Sequence, residues 1–153
     1  MILQKQPDSN CFVYACAMVM GVQAELIFES IGHRGDEVWW PKNEGAKRLR
    51  GVHIQEVTKF ALDHGYWMIP IDDYPMIAPD DNTEPKSIIS NLMYDALHNY
   101  DGVFCILLDT GIIHAVAWDR SKELIYDPRG ITYTMGLIPG SVFMFVAFGK
   151  ISR

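Results

Sequence analysis

Gln4-Lys-Gln-Pro-Asp-Ser-Asn-Cys-Phe-Val-Tyr-Ala-Cys-Ala-Met-Val-Met-Gly21 begins as a polar, turn-prone run and becomes an unbroken apolar segment at Cys11. Pro7, Asp8, Ser9 and Asn10 are loop and cap formers, and Ser9 or Asn10 is placed to cap a helix. From Cys11 to Met20 nearly every side chain is apolar, with small Ala15, Cys16 and Ala17 in the middle. A helix apolar all round is surrounded by protein. This one is too short for a bilayer, so it is expected to be the central helix of a core. Gly21 supplies its stop. A thiol in the first turn of such a helix lies where the helix dipole and free N–H groups favour its anion.

The flanking chain predicts what packs against that helix. Gln23 to Ile31 reads as a second helix with Leu26, Ile27 and Ile31 as its apolar stripe, ended by Gly32. His33 to Gly51 has no clean period and carries Trp39-Trp40, which suit packing over the core or lining a groove. His53 to His64 is amphipathic, with Ile54, Val57, Phe60 and Ala61 on one face and Gly65 after it. Tyr66 to Ile71 reads as a strand and Asp72 to Pro85 as an irregular excursion. Ser87 to His98 returns to helix, with Ile88, Leu92 and Ala96 on one stripe and Ile89, Met93 and Leu97 beside it.

Strands dominate the remainder. They are expected at Val103–Leu108, Ile112–Trp118, Leu124–Asp127 and Val142–Gly149, with turns at Asp109-Thr110-Gly111 and Arg120-Ser121-Lys122. Helices first and an antiparallel meander last predict an α+β domain rather than alternating βαβ units. A chain of 153 residues is read as one domain, 1–153.

Composition removes several classes of function. The charged fraction is 21%, the hydrophobic fraction 49% and the net charge −6, which describes an acidic globular protein. Lys47-Arg48-Leu49-Arg50 is the nearest approach to a basic tract, so no nucleic-acid partner is expected. No membrane span and no signal-peptide hydrophobic region are read, which predicts a cytoplasmic protein. The cysteine count is three, without CxxC spacing, so neither a disulfide framework nor a zinc knuckle is expected. Cys16 and Cys105 read as small buried hydrophobes. No metal and no cofactor are predicted, and the oligomeric state is left open.

A thiolate needs a base. His33 lies in a polar loop, and His53, His64 and His98 lie at helix ends, where exposure or capping accounts for them. His114, in Gly111-Ile-Ile-His-Ala-Val-Ala-Trp-Asp119, is a lone polar side chain in an apolar strand, on the face of Val116 and Trp118. By itself it reads as a satisfied core histidine. The next strand, however, ends at Asp127 in Glu123-Leu-Ile-Tyr-Asp-Pro-Arg-Gly130, and a hairpin would set that carboxylate beside the imidazole. A carboxylate on one ring nitrogen fixes the tautomer and leaves the other to take a thiol proton. Asp109 and Asp119 are rival carboxylates, read as turn residues. An oxyanion would need donors: the N–H of Cys11 at the helix start, and the side-chain amide of Gln4 or Gln6.

Taken together, these features resemble the papain-like cysteine peptidases: Gln, a short polar loop, Cys opening an apolar helix, then His-Ala-Val-Ala-Trp-Asp and Ile-Tyr-Asp-Pro. Within them the chain is most similar to the double-glycine, bacteriocin-processing group and its small single-domain bacteriophage relatives. Gln4–Gly21 and Ile113–Gly130 carry the likeness most strongly, and Ile27–Gly35 and Gly51–Gly65 add to it. The resemblance implies a papain-like α+β fold, with the N-terminal helices packed on a C-terminal antiparallel sheet. It also implies a thiol hydrolase with Cys11 as nucleophile, His114 as base, Asp127 as orienting carboxylate and Gln6 or Gln4 as oxyanion donor, Gln6 being preferred. A protein or peptide substrate in a bacterial host cytosol follows from the phage likeness. Phe12 stands where the group usually has Gly. The Gln-to-Cys interval is seven from Gln4 and five from Gln6, against the group's usual six. A silent binding protein on the same scaffold, or an acyl-transferring or deamidating relative, are the alternative functions.

Overall fold

The computed structural model describes residues 1–7, 10–36, 51–72 and 91–152. The elements run α1 (Cys11–Met20), α2 (Ala24–Ile31), α3 (Ile54–Asp63), β1 (Tyr66–Asp72), α4 (Asn91–Asn99), β2 (Asp101–Leu107), β3 (Ile113–Asp119), β4 (Leu124–Asp127), β5 (Ile131–Tyr133) and β6 (Ser141–Lys150), with a short 3₁₀ turn at Met135–Leu137. All strand pairs are antiparallel, in the order β1-β6-β2-β3-β4-β5. The fold is α+β. Ser9, Trp39-Trp40, Lys47–Arg50, the excursion after Asp72 and the start of the Ser87–His98 helix lie outside the described residues.

Helix α1 lies in the interior, as its all-round apolarity requires: Val13, Tyr14, Ala15, Cys16, Ala17, Met18 and Met20 are buried. Its first residue is Cys11, so the polar-to-apolar switch in sequence is also the helix boundary. Asn10 occupies the cap position and its side chain makes no cap hydrogen bond, while Ser9, the other candidate, lies outside the described residues. The Asn10 carbonyl instead accepts the N–H groups of Val13 and Tyr14. Gly21 ends the helix at φ 70°, a left-handed conformation that costs other residues a Cβ clash. The N–H groups of Gly21 and Val22 return to the carbonyls of Met18 and Ala17.

The sheet is covered on both faces. On one, α1 and α3 bury Ala15, Val57 and Phe60 against Val103, Ala115, Ala117, Tyr126 and Val146, and α2 packs Ile27 into the same cluster from beside α1 and α3. On the other, α4 buries Met93, Ala96 and Leu97 against Phe104, Val116, Trp118, Ile125 and Phe145. The Trp118 indole N–H donates to the Leu97 carbonyl at 3.1 Å, which fixes α4 to the sheet. Strand alternation assigns neighbours to opposite layers, so Ala115 and Ala117 face α1 while Val116 and Trp118 face α4.

Four expectations are corrected. The buried stripe of α2 is Ala24, Ile27 and Phe28, and Leu26 is exposed. Leu92 is exposed likewise, and α4 packs through Met93, Ala96 and Leu97. The sheet is not only C-terminal, because β1 precedes α4 and pairs along β6 from Tyr66↔Lys150 to Asp72↔Met144. His33 is buried rather than solvated, with Nε2 2.9 Å from Glu56 Oε1. Glu56 spends its other oxygen on the His53 N–H at 2.8 Å, so one carboxylate ties this loop to the start of α3. Among the described residues no single helix is long and apolar enough to cross a membrane.

Candidate active site

The site forms where β4 leaves β3. Their pairing begins at Asp119↔Leu124 and ends at Ala117↔Tyr126. Pro128 has no N–H to continue the ladder. Ala115, the next residue of β3 on that side, therefore has no β4 partner. Its N–H donates instead to Cys11 Sγ at 3.3 Å, so the N-terminus of α1 abuts the vacated strand edge. Cys11 is half-buried, and its N–H, at the first position of the helix, is a donor with no intrahelical acceptor.

His114 projects from β3 on the α4 side and is 6% exposed. Its Nε2 lies 2.9 Å from Asp127 Oδ1, which leaves Nδ1 as the ring nitrogen not taken by the carboxylate. Burial disfavours the imidazolium. The hydrogen bonds to Asp127 and Cys11 outweigh it and raise the His114 pKa to about 9. Asp127, Cys11 and His114, far apart in the chain, thus form one connected group.

Asp127 is fully buried and takes more donors than the sequence suggested. Oδ1 accepts from His114 and, at 2.8 Å, from the Arg129 backbone N–H. The Arg129 Nε reaches both oxygens, at 3.1 and 3.0 Å, and its Nη2 donates to Oδ2 at 2.7 Å. The Tyr133 hydroxyl from β5 donates to Oδ2 at 3.1 Å. Burial alone would raise the carboxyl's pKa, but the hydrogen bonds from His114 and Arg129 overcome it and hold Asp127 well below the usual carboxylate range. Arg129 and Tyr133 were not recognised in the sequence. The signal was available in Asp127-Pro-Arg129, where a strand-ending turn brings a cation back onto the carboxylate.

The two glutamines separate. Gln4 Nε2 donates to the Val22 carbonyl at 2.6 Å, and its Oε1 accepts the Ala24 N–H at 3.1 Å. Both ends of that amide are committed to the α1–α2 connection. Gln6 is tied by its backbone N–H to the Pro128 carbonyl at 2.8 Å, against the turn that carries Asp127. Its side-chain Oε1 is buried without a hydrogen-bond partner.

The other sequence candidates fall elsewhere. Asp119 closes the β3–β4 turn, accepting from Ser121 Oγ at 2.7 Å and from the Lys122 N–H at 3.2 Å. His64 and His98 bond to carbonyls one helical turn back, Phe60 and Tyr94 respectively. Cys16 and Cys105 are buried, and burial pushes their thiols up, to about 12 for Cys105. Phe12 packs half-buried against the α1 layer of the core. Among the described residues no group of three or more His, Cys, Asp or Glu side chains is arranged to hold a metal ion. In comparison with known proteins, the chain matches no family model and no curated protein.

Proposed function

We propose that this protein is a papain-like thiol hydrolase that cleaves a peptide or isopeptide bond through an acyl-enzyme on Cys11, acting on a protein substrate in a bacterial cytosol. The observation that carries the reading is His114, bonded through Nε2 to a buried carboxylate, with Cys11 Sγ held by the N–H of the very next residue, Ala115. In the proposed reaction the Cys11 thiolate attacks the carbonyl carbon and a C–S bond forms. The C–N bond then breaks as His114 gives its proton to the leaving amine. Water attacks the thioester as its proton passes to His114, the C–S bond breaks, and the carboxylic acid leaves with the Cys11 thiolate and the protonated His114 restored. The N–H of Cys11 and the Gln6 amide are the proposed donors to the oxyanion. An amine in place of water would make the same acyl-enzyme a transferase, so the acceptor alone separates those activities.

The test is thiol reactivity. Iodoacetamide at pH 6 is expected to alkylate Cys11 well ahead of Cys16, Cys105 and free cysteine, with mass spectrometry assigning the site. Labelling of Cys11 no faster than free cysteine overturns the reading. The Cys11→Ala variant then serves as bait to capture the substrate from host extract.

A further inference from the structure

We propose that Arg129 is a positioning residue of this site, a permanent counter-charge that keeps Asp127 ionised and in place while His114 gives up and regains its proton. The inference rests on the hydrolase reading and concerns a residue whose hydrogen bonds go to the carboxylate and not to the thiol.

Consider what Asp127 faces during turnover. With His114 protonated, the buried carboxylate has a cationic neighbour 2.9 Å away. Once His114 hands its proton to a leaving group, that neighbour is neutral. A buried carboxylate facing only neutral groups is costly, and the usual escape is to bind a proton. A proton moving onto Asp127 would remove the acceptor that orients the imidazole. The Arg129 guanidinium prevents this, because it contacts both carboxylate oxygens and does not titrate. The fork also fixes the plane of the carboxylate, which sets the line from Oδ1 to Nε2.

Position supports the same role. The Arg129 side chain is 45% exposed while Asp127 is 0% exposed, so the guanidinium is solvated on one side and meets the carboxylate on the other. That arrangement avoids much of the desolvation cost of a fully buried pair. The turn that carries it is braced by the Gly130 N–H on the Asp127 carbonyl and by the Gln6 N–H on the Pro128 carbonyl, each bond joining the turn to a part of the site. Among the described residues, the titratable or charged groups here are Cys11 from α1, with Cys16 and Cys105 behind it, His114 from β3, Asp127 from β4, Arg129 from the turn and Tyr133 from β5, and the Lys5 side chain lies against Gly130 of that turn. Burial and the Asp127 charge raise the Tyr133 hydroxyl above its ordinary range, so it stays a neutral donor.

The sign of the effect follows. Without the guanidinium, deprotonating His114 leaves an uncompensated buried anion, so His114 holds its proton more tightly. The experiment is the pH dependence of Cys11 alkylation by iodoacetamide in wild type, Arg129→Gln and Arg129→Lys, with thermal unfolding as the check on folding. Arg129→Gln is expected to move the high-pH limb, which reports the imidazolium, upward by about one pH unit. Arg129→Lys keeps the charge and is expected to restore the limb to near its wild-type position. A limb unmoved or lowered in Arg129→Gln, or equally displaced in Arg129→Lys, overturns the proposal. Should Arg129→Gln fail to fold, an Arg129→Lys limb displaced by as much as one unit overturns it alone, and a limb near wild type supports it. Failure of the hydrolase reading is a separate result: wild-type Cys11 itself then reacts no faster than free cysteine.

Discussion

The backbone N–H of Ala115 donates to the Sγ of Cys11 at 3.3 Å, joining residues 104 positions apart. A strand N–H left without its ladder partner becomes a donor to sulfur, so the end of the β3–β4 pairing and the start of α1 define one point in space. The sulfur is thereby tied to the sheet at the residue that follows His114. That bond restricts its rotamers, which is the preorganisation a nucleophile needs.

Cys11→Ala should therefore separate chemistry from folding. Alanine is the best helix former and Cys11 is only half-buried, so the change in unfolding free energy should stay within about 1 kcal/mol. Turnover of any captured substrate should fall by roughly 10⁴-fold or more. Denaturant unfolding and single-turnover assays check both halves. Retained turnover in the alanine variant would remove Cys11 from the mechanism.

Stability should depend on pH through His114. Its folded pKa is raised to about 9, above the roughly 6.5 of an unfolded histidine. The folded state therefore binds the proton more tightly, and the stabilisation is full below pH ~6.5 and lost as pH rises through about 9. The loss should be on the order of 2 kcal/mol across that window, measured by urea unfolding at a series of pH values. His114→Gln should flatten the decline. A decline of the same size in that variant would assign it to another group.

Asp127→Asn tests the carboxylate itself. Asparagine keeps the shape and can still accept from the imidazole, but it no longer stabilises the imidazolium or balances Arg129. Unfolding free energy should fall by about 2 kcal/mol, less than for a fully buried pair because Arg129 is half-exposed. The high-pH limb of Cys11 alkylation should drop toward the ordinary imidazole range. An unchanged limb would show that Asp127 supports structure alone.

Much of this site was legible in the sequence for identifiable reasons. The bounds of α1 could be read because its apolar run starts at Cys11 and stops at a glycine. His114 stood out as one polar side chain in an apolar strand, and Asp127 as the last residue of the following one. What could not be read depends on contacts between distant segments. The burial of His33 follows from Glu56 on another helix. The assignment of Leu26 and Leu92 to solvent depends on where α2 and α4 dock, which periodicity alone leaves ambiguous between adjacent stripes. The Arg129 fork on Asp127 needs the turn geometry after Pro128. The glutamine interval pointed to neither candidate, and hydrogen bonds separated them.

That separation gives the last prediction. Gln4 spends both ends of its amide on Val22 and Ala24, clamping the residues that join α1 to α2. Removing it strands a carbonyl and an N–H in a half-buried place, so Gln4→Ala should destabilise the fold by about 1–3 kcal/mol. The surviving folded protein should react normally at Cys11. Gln6 is anchored through its backbone to Pro128, and its side-chain Oε1 has no partner to lose. Gln6→Ala should therefore leave unfolding nearly unchanged while lowering acyl-enzyme formation by about 10²–10³-fold, the usual cost of an oxyanion donor. Because alkylation by iodoacetamide develops no oxyanion, its rate at Cys11 should survive the Gln6 change. Measuring acylation and alkylation in both variants distinguishes the roles: if Gln6→Ala lowers both rates equally, Gln6 supports the thiol rather than the transition state.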